Sequence, residues 1–162
     1  MDKYSFYLLR FIWTLRNHFK QIEAFTFSTQ LLRITPILHE KDLDQSLQNL
    51  SFVAKHWSGG TRIGDCLRRF NQNYGKKILS GRSMTIILSD GLDTGDPEVL
   101  NEALQKIRGR TKTLVWLNPL KGMEGYEPIQ KGMKAALPNL DIFQSAHNLN
   151  SLLKLEKIIA HA

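Results

Sequence analysis

Met84-Thr85-Ile86-Ile87-Leu88-Ser89-Asp90-Gly91-Leu92-Asp93-Thr94-Gly95-Asp96-Pro97 is the stretch on which the reading of this chain turns. Its first five residues form a short, nearly continuous apolar run without polar alternation, as in a strand buried on both faces of a parallel sheet. A polar loop follows. Asp96 then caps, and Pro97 opens, a helix with Val99, Leu100, Ala103, Leu104 and Ile107 inward, stopped at Gly109. A second apolar run, Thr113 to Leu117, completes a strand–helix–strand unit.

Working outward toward the C-terminus, Pro128 to Ala136 reads as a short helix, Asp141 to Phe143 as a short strand, and Leu149 to Ala160 as a closing helix. Toward the N-terminus, Ile63, Cys66, Leu67, Phe70 and Tyr74 form the inner stripe of a helix closing at Gly75. The Ser58 to Thr61 loop separates it from a helix capped by Asp42, with Leu43, Leu47, Leu50, Val53, Ala54 and Trp57 on one side. Ile22 to Ser28 and Leu31 to Thr35 are joined by so short a link that an antiparallel hairpin is expected, flanked by Pro36. Tyr4 to Phe19 repeats apolar residues at amphipathic-helix spacing. Alternating strands and helices predict an α/β fold: a mostly parallel sheet with helices on both faces. Met84 to Leu88 is expected near its centre and Leu31 to Thr35 at an antiparallel edge. The chain, residues 1–162, reads as one domain that begins with a helix where such folds usually begin with a strand.

Apolar residues make up 42% and charged residues 23%, the balance of a globular protein rather than a disordered one. No apolar run approaches the ~20 residues of a membrane helix, and no secretory leader is visible. A single cysteine, Cys66, excludes an internal disulfide and suits a reducing cytoplasm. The net charge is +7, with basic clusters at Arg68/Arg69, Lys76/Lys77 and Arg108 to Lys112. No aromatic residues are interleaved with them as a stacking motif, so they read as a solvated basic surface rather than a nucleic-acid-binding one.

In open α/β sheets, ligands bind beyond the carboxyl ends of the strands. The loop leaving Leu88 carries Asp90, Asp93 and Asp96 with two glycines, an oxygen-rich edge suited to Mg²⁺ or Ca²⁺. Asp96 has a plainer role as a cap, and Asp93 reads most simply as solvent-facing, whereas Asp90 stands where the buried strand ends. Gly59-Gly60-Thr61-Arg62-Ile63-Gly64-Asp65 is the second candidate, although Thr61 taken alone is simply an N-cap. The loops match neither an EF-hand nor a Walker A pattern. The histidines at 18, 39, 56, 147 and 161 lack metal-ligand spacing. Cys66 has no histidine placed to activate it, and nothing in the sequence supports a nucleophile or a general base.

Together, GGTRIGDCL and IILSDGLDTGDP resemble the von Willebrand factor A (VWA) family. With FKQIEAFTFST and TLVWLNP, they resemble its CoxE-like branch over nearly the whole chain. The resemblance implies a Rossmann-like VWA fold and a metal-ion-dependent adhesion site. In that site Thr61 and Asp90 would be metal ligands, with Asp93 as a candidate accessory ligand. The family's opening Asp-x-Ser-x-Ser motif and the first central strand that carries it have no counterpart here, since Met1 aligns with the motif's end. Neither Asp2 nor Ser5 substitutes for it. The resemblance thus describes an N-terminally truncated domain with an incomplete site, weak in Mg²⁺, Mn²⁺ or Ca²⁺.

For function, the resemblance implies binding rather than catalysis: the metal's open position takes an acidic residue of a partner protein. CoxE-like proteins are associated with MoxR-type AAA+ ATPases and with maturation of carbon monoxide dehydrogenase and similar molybdenum hydroxylases. The expectation is therefore an accessory factor in metalloenzyme maturation. The alternatives are a truncated remnant without independent activity, a Mg²⁺-dependent enzyme, and a basic nucleic-acid-binding module.

Overall fold

The computed structural model describes residues 13, 19–40, 42–54, 60–146 and 157. The expected helices at Tyr4 to Phe19 and Leu149 to Ala160 lie almost wholly outside these residues, with Trp13 and Lys157 alone described as helical. Two strands, β1 (Phe25–Phe27) and β2 (Leu31–Arg33), form the expected hairpin, with Thr26 opposite Leu32. Next come a one-turn helix α1 (Thr35–Leu38), then α2 (Leu43–Ala54) and α3 (Ile63–Phe70). The α3 helix runs on through a π-helical turn, Asn71–Gly75, and a final turn, Lys76–Ile78. Strand β3 (Met84–Leu88), helix α4 (Pro97–Arg108), strand β4 (Thr113–Asn118), helix α5 (Lys131–Ala136) and strand β5 (Ile142–Ser145) complete the order.

β3, β4 and β5 pair in parallel in that order, with Ile86 beside Val115 and Trp116 beside Phe143. This corrects two expectations. Among the described residues Met84–Leu88 lies at an edge of this sheet rather than at its centre, which is Thr113–Asn118, and the hairpin is a separate two-stranded sheet. The misplacement has a physical origin: a run of apolar residues reports burial of both faces, and it is silent about which neighbours a strand hydrogen-bonds. The β2 strand is also shorter than expected, because Thr35 belongs to α1 with Pro36 in its first turn. The Thr35 hydroxyl donates to Glu23 Oε2 at 2.7 Å and accepts from the Ala24 backbone N–H at 3.0 Å, fastening that turn to the hairpin.

The sheet separates two apolar clusters. On one face Ile87, Leu114 and Trp116 pack with Ile63, Leu67 and Phe70 of α3, Leu100, Leu104 and Ile107 of α4, and Met133 and Ala136 of α5. On the other, Val115 and Leu117 pack with Ala146, Phe19, Ile22, Met84, Ile86 and Leu88. Successive β4 residues thus serve opposite clusters, and all four from Leu114 to Leu117 are at most 2% exposed, as a doubly covered strand requires. The hairpin joins the first cluster through Phe25, whose ring meets Phe70 edge-on at 5.2 Å. Among the described residues no helix is long and apolar enough to cross a membrane.

Candidate functional site

The carboxyl ends of β3 and β4 and the segment leading into α3 meet at one rim, and backbone hydrogen bonds fasten them. The Thr61 carbonyl accepts from both the N–H (2.9 Å) and the hydroxyl (3.0 Å) of Thr94, in the loop that leaves β3. Arg62 N–H donates to the Ser28 carbonyl in the hairpin turn at 2.8 Å. The two motifs singled out in the sequence are therefore brought together, Thr61 on one loop and Asp90 on the other.

Asp93 makes the joint. Its Oδ1 accepts from the backbone N–H of Ile63 at 2.9 Å and of Gly95 at 3.0 Å, and its Oδ2 from that of Gly64 at 3.3 Å. Ile63 and Gly64 open α3, where backbone N–H groups have no partner within the helix. A carboxylate arriving from a loop about thirty residues later supplies the cap, favoured also by the positive end of the helix dipole. Asp93 is therefore a half-buried cap rather than a solvent-facing side chain.

This finding also overturns the plain reading of Thr61. Arg62 holds the N-cap position and no side chain at that position caps the helix, so Thr61 is not the cap. Asp93 does that work, and no hydrogen bond involves the Thr61 hydroxyl among the described residues. Asp96, by contrast, caps α4 as expected, accepting from Glu98 N–H at 2.9 Å.

Asp90, two residues beyond β3, is half-buried; among the described residues its Oδ1 accepts only from Leu92 N–H, at 3.0 Å, and its Oδ2 has no hydrogen bond. Its carbonyl is held by Asn118, fully buried at the end of β4, whose Nδ2 donates to Asp90 O at 3.1 Å and to the Tyr126 hydroxyl at 2.8 Å. Burial pushes the Tyr126 phenol up, the Asn118 hydrogen bond pulls it down, and the Asp90 charge nearby adds to the rise. Lys121, on the same loop, donates to the Phe143 carbonyl at 2.5 Å and lies 4.3 Å from the Phe143 ring centroid; desolvation lowers its pKa. The sequence reading missed Asn118 and Tyr126 as neighbours of Asp90. The available signal was Asn118 itself, a polar residue ending an apolar run just as Asp90 ends the one before it.

Gly91 shapes this rim. Its φ of +81° lies in the left-handed region, and a Cβ there would run into the Met133 side chain of α5. Three large apolar side chains stand exposed on the loops that meet at Asp90: Leu92, Met123 and Ile129.

As a cation site the described residues fall short. No group of three His, Cys, Asp or Glu side chains converges among the described residues. Thr61 and Asp90 offer three side-chain oxygens, one of them already accepting from Leu92 N–H, whereas Ca²⁺ takes about 6–8 oxygen ligands and Mg²⁺ a near-ideal octahedron. Cys66 is fully buried, and burial pushes its thiol up, so it is an inert core residue.

A parallel α/β domain with its polar loops gathered beyond the strand ends is the class of protein defined so far. The family model described as "VWA domain containing CoxE-like protein" matches residues 1–152, and the chain belongs to that family. A search of the curated proteins found no match to this chain.

Proposed function

We propose that this chain is a protein-binding module rather than an enzyme, and that its rim around Thr61 and Asp90 receives an acidic residue of a partner through a bridging divalent cation. Family membership supports the module reading. The single observation that carries the choice of rim is that, among the described residues, the Thr61 hydroxyl and one Asp90 oxygen make no hydrogen bond, on loops fastened by other residues. The exposed Leu92, Met123 and Ile129 favour a protein surface as the occupant over a small molecule, since the buried cores of protein interfaces are apolar. The partner in this reading is a MoxR-type AAA+ ATPase, and the pair serves maturation of a carbon monoxide dehydrogenase or related molybdenum hydroxylase. A divalent cation, Mg²⁺ or else Mn²⁺ or Ca²⁺, would be held weakly by Thr61 and Asp90 alone and would need further ligands to bridge firmly to a carboxylate.

A pull-down of the MoxR-type ATPase with the full chain, with Thr61→Ala and Asp90→Ala compared, tests this reading. Recovery is expected to fall in both variants. Equal ATPase recovery with wild type and both variants would remove the rim from the interaction.

A further inference from the structure

The three basic clusters of the sequence, remote from one another along the chain, converge on one groove of about 410 Å³ between the α3–π-turn segment and α4. Arg68, Lys76, Lys106 and Arg110 line it, with Glu102 as its one carboxylate. Arg68 is engaged by Asp65 at 2.7 Å. Among the described residues no carboxylate pairs with Lys76, Lys106 or Arg110. Uncompensated cations around one concavity focus a positive potential there.

The floor has unused hydrogen-bonding capacity as well. Asn71 Nδ2 donates to the Ala103 carbonyl at 2.9 Å, but its Oδ1 has no partner, and neither has Arg110 Nη1, both being buried atoms. Gly75 leaves room for the two: a Cβ there would stand 3.1 Å from Arg110 Nη1 and 3.3 Å from Asn71 Oδ1. Both Asn71 and Gly75 lie in the π-helical turn, a deformation that proteins place preferentially at functional sites.

We propose that this groove docks an acidic, partly apolar peptide segment of a protein partner. Lys76, Lys106 and Arg110 take its carboxylates, and Val99 gives an apolar footing. A nucleic-acid strand fits less well. No aromatic ring lines the groove for base stacking, and Glu102 repels an unbroken row of phosphates. The groove is built from the α3–α4 layer, and Thr61 is not among its lining residues, so the inference stands apart from the rim reading.

The probe is a fluorescein-labelled peptide of the repeat Glu-Leu-Glu-Ser, titrated with the full chain and read by fluorescence anisotropy. Exposed ion pairs are individually weak, so removing three cations together, K76Q/K106Q/R110Q, is expected to cost about tenfold in affinity. The charge-matched control R82Q/K131Q/K134Q, away from the groove, should change it less than about threefold, the scale of a general net-charge effect. Glu102→Gln should tighten binding about twofold through lost repulsion, a gain that unfolding cannot imitate. Thr61→Ala should leave peptide affinity unchanged, which separates failure of this proposal from failure of the rim. Absence of peptide binding, equal losses in the two triple variants, or no tightening in Glu102→Gln would overturn the inference. So would tighter binding of an oligo-dT strand that is lost in K76Q/K106Q/R110Q.

Discussion

Replacing Asp93 with alanine is expected to loosen the joint between the α3 start and the β3 loop without touching the residues proposed to meet a partner. The carboxylate accepts three backbone N–H bonds, from Ile63, Gly64 and Gly95. A lost N-terminal cap typically costs about 1 kcal/mol, and a hydrogen bond to a charged group is worth about 1.5–3 kcal/mol. Asp93 is half-buried and Gly64 N–H is distant at 3.3 Å, so the lower part of the summed range applies. Asp93→Ala should therefore destabilise by about 2–4 kcal/mol, a large fraction of the roughly 5–15 kcal/mol holding a domain together. For a chain of this size the corresponding fall in Tm is about 5–15 °C. Asp93→Asn should fall between, because it keeps one carbonyl oxygen for Ile63 and Gly95 but turns an amide donor toward Gly64 N–H. Asp90→Ala removes one bond to Leu92 N–H and should cost about 0.5–1 kcal/mol. Urea denaturation and thermal melts of the four proteins, each with and without Mg²⁺, read these differences. Equal destabilisation by Asp93→Ala and Asp90→Ala would refute the clamp. So would an Asp93→Ala variant of unchanged stability that has lost a Mg²⁺-induced rise in Tm, the behaviour of a ligand rather than a cap.

Two further expectations follow from local geometry. Gly91→Ala combines a left-handed φ with a collision against the Met133 side chain and should destabilise by about 1–3 kcal/mol. In urea denaturation, a Met133→Ala background should reduce that added penalty, and an unchanged penalty would mean that steric contact plays no part. The Arg33 hydrogen bond, with help from Thr35, holds the Glu23 carboxyl below its usual range. A carboxylate with a lowered folded pKa contributes stability that is fully present above its unfolded value, about pH 4.3, and is lost as the pH falls through the lowered value. Wild type should lose stability across that acidic window more steeply than Glu23→Gln, and parallel pH profiles of denaturation midpoints would contradict this.

The sequence made the local elements legible where one physical signal dominated. Thr113–Leu117 read as a doubly covered strand because it offers no polar face, and its residues do serve both clusters. The hairpin was legible because its two strands are too close in sequence for a crossover. Strand order was not, since Met84–Leu88 and Thr113–Asn118 carry the same apolar signature and only one is central in the parallel sheet. Thr35 was assigned to a strand although the following Pro36 suits a helix's first turn equally well. The π turn at Asn71–Gly75 was invisible because Phe70 and Tyr74 keep helical spacing whichever hydrogen bond closes the turn. Asp93 was misread for the same kind of reason: the donors it caps lie about thirty residues earlier, and local capping rules look only a few residues ahead.

The division of roles at the rim bears on how a partner could be received there. Among the described residues, the bonds that fasten the Thr61 loop to the Asp90 loop run through backbone groups or through Asp93 and Thr94. Asn118 holds Asp90 by its carbonyl rather than its carboxylate. A cation that bridges the Thr61 hydroxyl and the Asp90 carboxylate to an incoming acidic residue therefore breaks none of these fastenings, and the rim need not rearrange to receive it. Preformed surfaces of this kind typically move by about 1 Å or less on binding. Thr61→Ala should accordingly weaken capture of the partner while leaving the melting temperature close to wild type. Asp93→Ala should lower both together, because it frees the loop on which Thr61 stands. That contrast separates a contact residue from one that positions it, and it does so whatever the identity of the partner.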